Sequence, residues 1–337
     1  MGKEKNVYRR IPDKKHRYLC CEVLHTYLNF EDDHLRPYCC HDDPDYQPRW
    51  AYKGEAFSLE KLQEYLSGIA EMIHKEPARC ERCRYIYYDK VPQEGSLHRY
   101  KLKRINFNPH RLFCNLNCSY CFITPSKRES RFPPYSVLQA VEFLFNNNFI
   151  DDTCEFLWGG GESTILPEFE TVTRLIADKG HKQVLNTNGT VFSEAWAYTL
   201  ALSKETYFNI SIDSGTRETY KRIKGKDMFD IVWTNIAKYQ SVAKNKYSFK
   251  AKYILMETNR EKNELENFIR KCVENGVMGI EIAVEGKEVF YGITRETFES
   301  ASYLKTLALN SNFLCDWWSN HNKETIEALE NFYQQHR

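Results

Sequence analysis

The chain has 337 residues, enough for two domains or one large barrel. Apolar residues make up 42%, aromatics 14% and charged residues 28%, a balance that excludes a disordered or fibrous chain and fits a soluble globular one. Forty-seven Lys and Arg stand against 46 Asp and Glu, and the net charge of +1 gives no electrostatic ground for a nucleic-acid or membrane-surface partner.

The first ten residues are charged and carry no apolar stretch, which argues against a signal peptide, and Asn6 stands where a myristoylation signal needs Ser or Thr. No apolar run reaches membrane-span length, so the expected location is cytoplasmic. In that reducing compartment the twelve cysteines read as metal ligands rather than disulfides. Residues 1–19 are basic and irregular. After Cys20 and Cys21, residues 24–30 read as a strand, 31–34 as a turn and 35–38 as a short return strand. Such a hairpin brings the Cys20/Cys21 pair near the Cys39/Cys40 pair. Ser58 opens a predicted helix with Leu59, Leu62, Leu66, Ile69 and Ile73 on one face. Beyond it lies Cys80-Glu-Arg-Cys83, a C-x₂-C knuckle of metal-ligand spacing.

Residues 91–96 form a turn-rich break. It divides a cysteine-rich α+β metal-cluster module at 1–95 from a core at 96–310, with a helical C-terminal segment at 311–337. In the core, strands are predicted at 103–107, 154–158, 183–186, 207–212, 250–256 and 279–284. Helices are predicted at 135–147, 167–179, 193–203, 229–243, 263–275 and 294–309. Alternating strands and helices imply an α/β fold with a parallel sheet and right-handed crossovers.

The loop after the first core strand holds Cys114-Asn-Leu-Asn-Cys118-Ser-Tyr-Cys121. Three thiols are one short of a closed zinc site. A four-iron cubane held by three thiolates keeps one iron open to an outside ligand. Here the sequence resembles the radical SAM enzymes, over about residues 102–290. The resemblance implies a partial (β/α)₆ TIM-like barrel, a [4Fe-4S] cluster on Cys114, Cys118 and Cys121, and S-adenosylmethionine (SAM) chelating the open iron. Reductive cleavage of SAM to a 5′-deoxyadenosyl radical would follow, with an electron donor such as flavodoxin or ferredoxin.

Reactive groups of βα barrels gather on the loops after the strands, and the remaining motifs fall there. Gly159-Gly160-Gly161-Glu162 follows the second strand and resembles the motif that holds the methionyl ammonium of SAM. Bare glycines let main-chain carbonyls approach a cation, and Glu162 adds a counter-charge. Asn188, in a Thr-Asn-Gly turn, is a candidate ribose or carboxylate contact. The run from Ser211 to Gly225 resembles the family's fourth-strand segment. It puts Ser211 and Asp213 near the methionyl or ribosyl end of SAM, and Arg222 near the methionyl carboxylate. Tyr120 is expected to pack on the cluster or on adenine.

The N-terminal cysteines are similar to the SPASM and twitch auxiliary-cluster modules. Twelve residues separate Cys21 from His34, which stands where the pattern has glycine, and four more precede Cys39. The resemblance implies a second [4Fe-4S] cluster on Cys21, Cys39, Cys80 and Cys83, with Cys20 and Cys40 as alternates. Here the module precedes the core instead of following it, and zinc in a ribbon-like site is the rival metal. The implied activity is hydrogen abstraction from a peptide or small-metabolite substrate, carbohydrate-like metabolites included. The alternative is a non-catalytic iron–sulfur or zinc-binding protein with a redox or structural role.

Overall fold

The computed structural model describes residues 101–109, 113–121, 134–319 and 321–336, and before them 17–21, 26–31, 34–37, 58, 60, 61, 64 and 86–90. These fall in two units, one made of residues 1–111 and 131–158, the other of residues 112–130 and 159–337.

In the first unit, β1 (Arg17–Cys21) pairs antiparallel with β4 (Ile86–Lys90). The hairpin forms between β2 (Tyr27–Phe30) and β3 (Leu35–Pro37), with Phe30 opposite Leu35. Strand β2 also lies parallel to β5 (Leu102–Phe107), which pairs in turn with β6 (Ile150–Trp158). The break at residue 96 therefore does not separate the hairpin from the core strands. The physical reason is the buried face of β2, whose Phe30 ring meets Phe107 edge-on at 5.0 Å, while Phe107 stacks on Trp158 at 4.1 Å. Helix α1 (Val137–Asn146) crosses between β5 and β6. Ser136 caps it by accepting from the Gln139 N–H, and Val137, Ala140, Val141 and Leu144 bury one face. Ser58 likewise accepts from the Lys61 N–H, the N-terminal cap expected there.

In the second unit, five parallel strands lie in chain order: β7 (Lys182–Thr187), β8 (Tyr207–Ser211), β9 (Phe249–Leu255), β10 (Gly279–Val284) and β11 (Leu314–Trp317). Helix α2 (Phe169–Asp178) precedes them, and between them run α3 (Glu194–Leu202), α4 (Arg217–Lys224), α5 (Phe229–Val242), α6 (Lys262–Glu274), α7 (Gly286–Tyr291) and α8 (Arg295–Asn310). Helix α9 (Lys323–His336) closes the described chain. The class is α/β, with parallel strands alternating with helices. The C-terminal segment departs from the helical expectation by adding β11 parallel to β10. No helix of the described residues is long and apolar enough to cross a membrane.

Side chains alternate across this sheet. Leu185, Phe208, Ile210, Phe249, Ala251, Tyr253, Leu255, Ile280 and Ile282 are essentially inaccessible. Helix residues meet them, with Trp196 against Phe208 and Phe268 against Tyr253. The opposite positions are polar: Asn186, Asn209, Ser211, Lys252 and Glu281 follow one another across the strands, and Asn209 donates to Asn186 at 3.4 Å. One face of the sheet is apolar core, the other polar.

Candidate functional site

The cysteine loop, residues 113–121, is clamped by main chain. Glu162 N–H donates to the Phe113 carbonyl at 2.9 Å, Asn117 N–H to the Lys224 carbonyl at 2.9 Å and Ser119 N–H to the Ile223 carbonyl at 2.8 Å. Those last two carbonyls belong to the final turn of α4, where no intrahelical donor is left for them. The loop thus caps the helix. Gly225 ends α4 at φ +72°, and a Cβ there would lie 2.9 Å from both the Asn117 Cβ and its carbonyl oxygen. Only glycine permits both the left-handed turn and the close approach.

Cys114, Cys118 and Cys121 are half-buried free thiols. Cys121 N–H donates to the Cys118 carbonyl at 3.1 Å, tightening the last turn. Two donors reach the Cys114 sulfur, Leu116 N–H at 3.4 Å and Asn188 Nδ2 at 3.7 Å. Burial pushes the Cys114 thiol up, and the Glu162 and Cys118 charges add to it. Burial raises Cys118 too, while the Lys224 ammonium opposes the rise. Among the described residues no three His, Cys, Asp or Glu side chains converge on a single ion. Three thiols in one loop, with N–H groups aimed at the Cys114 sulfur, have the donor chemistry that an iron–sulfur cluster takes from a protein.

Behind the loop sits a buried ion pair. Asp213, fully buried and held at φ +59°, accepts from the Lys224 ammonium, which is 1% exposed. The Tyr120 hydroxyl donates to Asp213 at 2.7 Å and accepts from Lys224 Nζ at 2.9 Å. Ile254 N–H donates to the other Asp213 oxygen at 2.7 Å, and Asn259 Nδ2 to its carbonyl at 2.9 Å. Burial pulls the Lys224 ammonium down, yet the Asp213 carboxylate, its hydrogen bond and the nearby Cys118 and Cys114 charges together outweigh that and leave it above the usual lysine value. Burial, then the Asp213 charge, drives the Tyr120 phenol well up, so it stays protonated. The hydroxyl of Tyr120 therefore faces this pair, and the residue anchors the loop as a polar pin rather than only packing on a cofactor.

Gly160 and Gly161 both adopt left-handed backbone, φ +66° and +52°. Glu162, fully buried, has its carboxylate filled by chain donors. Thr164 Oγ1 reaches it at 2.7 Å, Thr187 Oγ1 at 2.6 Å and Asn188 N–H at 2.7 Å. Burial raises its pKa against the pull of these hydrogen bonds. Asn188 is fixed in turn: its Nδ2 donates to Asn115 Oδ1 at 2.8 Å, and its Oδ1 accepts from Thr190 N–H and Oγ1. A continuous polar chain runs from Glu162 through Asn188 to the Cys114 sulfur.

Cys114, Cys118, Cys121, Tyr120, Glu162, Asn188 and Asp213 thus belong to one connected site, with Gly159, Gly160 and Gly161 leading into it. Ser211 ends β8 on the polar face. Arg222 stands apart: it is exposed, and its guanidinium donates to the Thr258 carbonyl and the Thr219 hydroxyl. Of the N-terminal candidates, Cys20 and Cys21 lie on β1 with only their backbone described, and Cys39, Cys40, Cys80 and Cys83 lie outside the described residues. Asn115, Thr187 and Lys224 lie inside motifs read from the sequence without being singled out there, and Asn259 lies outside all of them.

Residues 108–272 match the radical SAM superfamily. A probable GTP 3′,8-cyclase of Saccharolobus islandicus is 26% identical over 170 residues, covering 50% of this chain and 53% of that protein. Fe-coproporphyrin III synthase of Methanosarcina barkeri is 29% identical over 131 residues, covering 35% and 29% respectively. A cysteine-type anaerobic sulfatase-maturating enzyme of Clostridium perfringens is 30% identical over 102 residues, covering 27% and 28%. The chain therefore spans about half or less of the length of these relatives. Among solved structures, Streptococcus suis SuiB bound to its precursor peptide SuiA aligns with a TM-score of 0.50 at 15% identity, over 95% of this chain and 75% of that one, a likeness of fold.

Proposed function

Since this chain belongs to the radical SAM superfamily, matched over its residues 108–272, we propose that Cys114, Cys118 and Cys121 hold a [4Fe-4S] cluster whose open iron takes SAM. The chemistry such a site would supply is one-electron reduction of the SAM sulfonium by the reduced cluster, giving methionine and a 5′-deoxyadenosyl radical able to take a hydrogen atom from substrate. The observation that carries this reading is the clamped loop of three free thiols, with donors already aimed at the Cys114 sulfur.

The residues divide the work. Lys224 offsets the negative charge that three thiolates would bring to a half-buried loop, and Asp213 keeps the lysine in position. The left-handed turn at Gly160 and Gly161 leaves main-chain carbonyls unshielded for the methionyl ammonium. Glu162 is a positioning residue: it fixes Thr187 and Asn188, and through Asn188 it orients a donor to sulfur. Ser211 offers its hydroxyl from the polar face toward the ribosyl or methionyl end. Arg222 is left out of this reading: it is exposed, and its Nη2 donates to the Thr258 carbonyl.

The substrate we propose is a peptide or a small metabolite. The names of the relatives include both, a sulfatase-maturating enzyme and a GTP cyclase. An electron donor such as flavodoxin or ferredoxin is part of the proposal, as is a second [4Fe-4S] cluster on Cys21, Cys39, Cys80 and Cys83. Metal analysis tests both clusters without a substrate. After anaerobic reconstitution the wild type should hold about eight irons, and a Cys114/Cys118/Cys121 triple alanine variant about four. A triple variant with almost no iron and one equivalent of zinc would assign the N-terminal cysteines to zinc.

Glu162→Ala should weaken SAM binding by roughly ten- to hundredfold, because Thr164, Thr187 and the Asn188 N–H lose the buried acceptor that fixes them beside the glycine turn, with iron content unchanged. Calorimetry reads the dissociation constant, and an unaltered value would detach Glu162 from SAM.

A further inference from the structure

The polar face of the second unit carries two charged side chains that the reading above does not use. Lys252 on β9 is 8% exposed and Glu281 on β10 is 5% exposed. They are register partners on adjacent parallel strands, within reach of each other across one strand spacing of about 4.8 Å. Yet they form no ion pair. The Lys252 ammonium lies 3.4 Å from the centroid of the Trp318 ring and makes no hydrogen bond to the described residues. Glu281 Oε2 is buried without a hydrogen-bond partner, and so is Asn209 Oδ1 on the same face. Unpaired buried charges are costly, and one acid and one base left apart on a single face are each short of a partner. The neighbouring strand positions do not supply it: Ser211 lies beside Lys252, and Lys250 is engaged by Asp316.

We propose that Lys252 and Glu281 form the recognition pair for the substrate, Lys252 receiving an oxyanion (carboxylate or phosphate) and Glu281 a hydrogen-bond donor next to it. The Trp318 face holds the ammonium while it waits, a contact that stabilises a cation without using up its N–H groups. A ligand that brings an acceptor and a donor together satisfies both buried groups and leaves the face electrically balanced, which a purely apolar ligand does not. This rests on the radical SAM reading, since it assigns the second ligand of the face where Ser211 would meet SAM. Burial also brings the Lys252 ammonium down to about 8, against the pull of Glu281 and Asp213 and with Lys224 adding to the fall. The His321 ring near it is held neutral, its value lowered to about 4 by burial and then by Lys252, with Nε2 accepting from the Val284 N–H at 2.9 Å. An oxyanion arriving at Lys252 therefore meets a cation whose charge is poorly compensated.

The test uses the full chain with its lysines ¹³C-methylated and followed by NMR, Lys252→Arg removing one resonance and so assigning it. Acetate, inorganic phosphate and glycine are the probes. The midpoint of the Lys252 resonance should rise by about one pH unit on saturation with acetate or phosphate, and the probe that acts at the lower concentration names the source of the oxyanion. Glycine, which carries a donor beside its carboxylate, should bind about tenfold more tightly than acetate, a preference that Glu281→Gln should erase. A resonance that none of the three probes moves would overturn the proposal, and so would one that moves with SAM alone, which would give the pair to the cofactor. Formation of 5′-deoxyadenosine by the unmethylated protein is read separately. Cleavage with an unresponsive Lys252 removes only this inference, and a responsive Lys252 without cleavage removes only the radical SAM reading.

Discussion

Lys224→Met is expected to destabilise the protein by about 3–5 kcal/mol, because it leaves the Asp213 carboxylate buried without its counter-ion. Both side chains are almost completely inaccessible, so solvent screening does little to soften the loss. The Tyr120 hydroxyl and the Ile254 N–H would still reach Asp213, but neither carries a charge. Since Tyr120 lies inside the C-x₂-C turn, the same substitution should loosen the cysteine loop. Urea unfolding gives the first quantity, and the rate at which iodoacetamide alkylates Cys118 in the cluster-free protein gives the second. The double variant Lys224→Met/Asp213→Asn should recover part of the stability, as Asn keeps the shape and tolerates the left-handed backbone at φ +59°. A single variant that loses less than about 1 kcal/mol would mean that the pair is not coupled to the fold, in the manner of an exposed ion pair.

Cys118→Ala is expected to abolish cluster-dependent chemistry while leaving the chain folded. The residue is a half-buried member of a loop whose anchors are mostly main-chain hydrogen bonds, and those persist in the variant. Truncating it should cost little stability, because no large apolar side chain is lost. Two thiolates, by contrast, cannot hold a cubane that needs at least three from the protein here. The variant should lose about four irons relative to the wild type, together with all 5′-deoxyadenosine production above background. Iron and sulfide analysis alongside an unchanged far-ultraviolet circular dichroism spectrum separates loss of cluster from loss of fold. Full iron content in Cys118→Ala would transfer the ligand role elsewhere.

Much of the fold was legible because its signals are local. Ser193 caps α3 through the Trp196 N–H, the glycines after β6 and β7 end those strands, and the apolar runs of β8 to β10 lie close to where periodicity puts them. Helix α4 was read only as a motif, since Arg-Glu-Thr-Tyr-Lys-Arg-Ile-Lys offers two apolar residues, Tyr220 and Ile223, too few for a helical stripe. Strand β11 was missed because it is four residues long and half exposed. The three thiols announced themselves by spacing within one loop. Their support did not, because Tyr120 meets Asp213 across 93 residues and Lys224 across 104, contacts that exist only after the sheet has formed. Glu162 shows the other limit. A Gly-Gly-Glu run suggests a carboxylate free to meet a ligand, whereas burial and three nearby donor residues turn it inward to hold Asn188.

The most direct measurement is the product of SAM under one-electron reduction. Anaerobically reconstituted protein with dithionite and SAM should release 5′-deoxyadenosine and methionine in equal amounts, and both should vanish when dithionite is omitted. Protein that holds its full iron and yields no 5′-deoxyadenosine under these conditions, with or without candidate substrates, would contradict the assignment and leave an iron–sulfur protein without this catalysis.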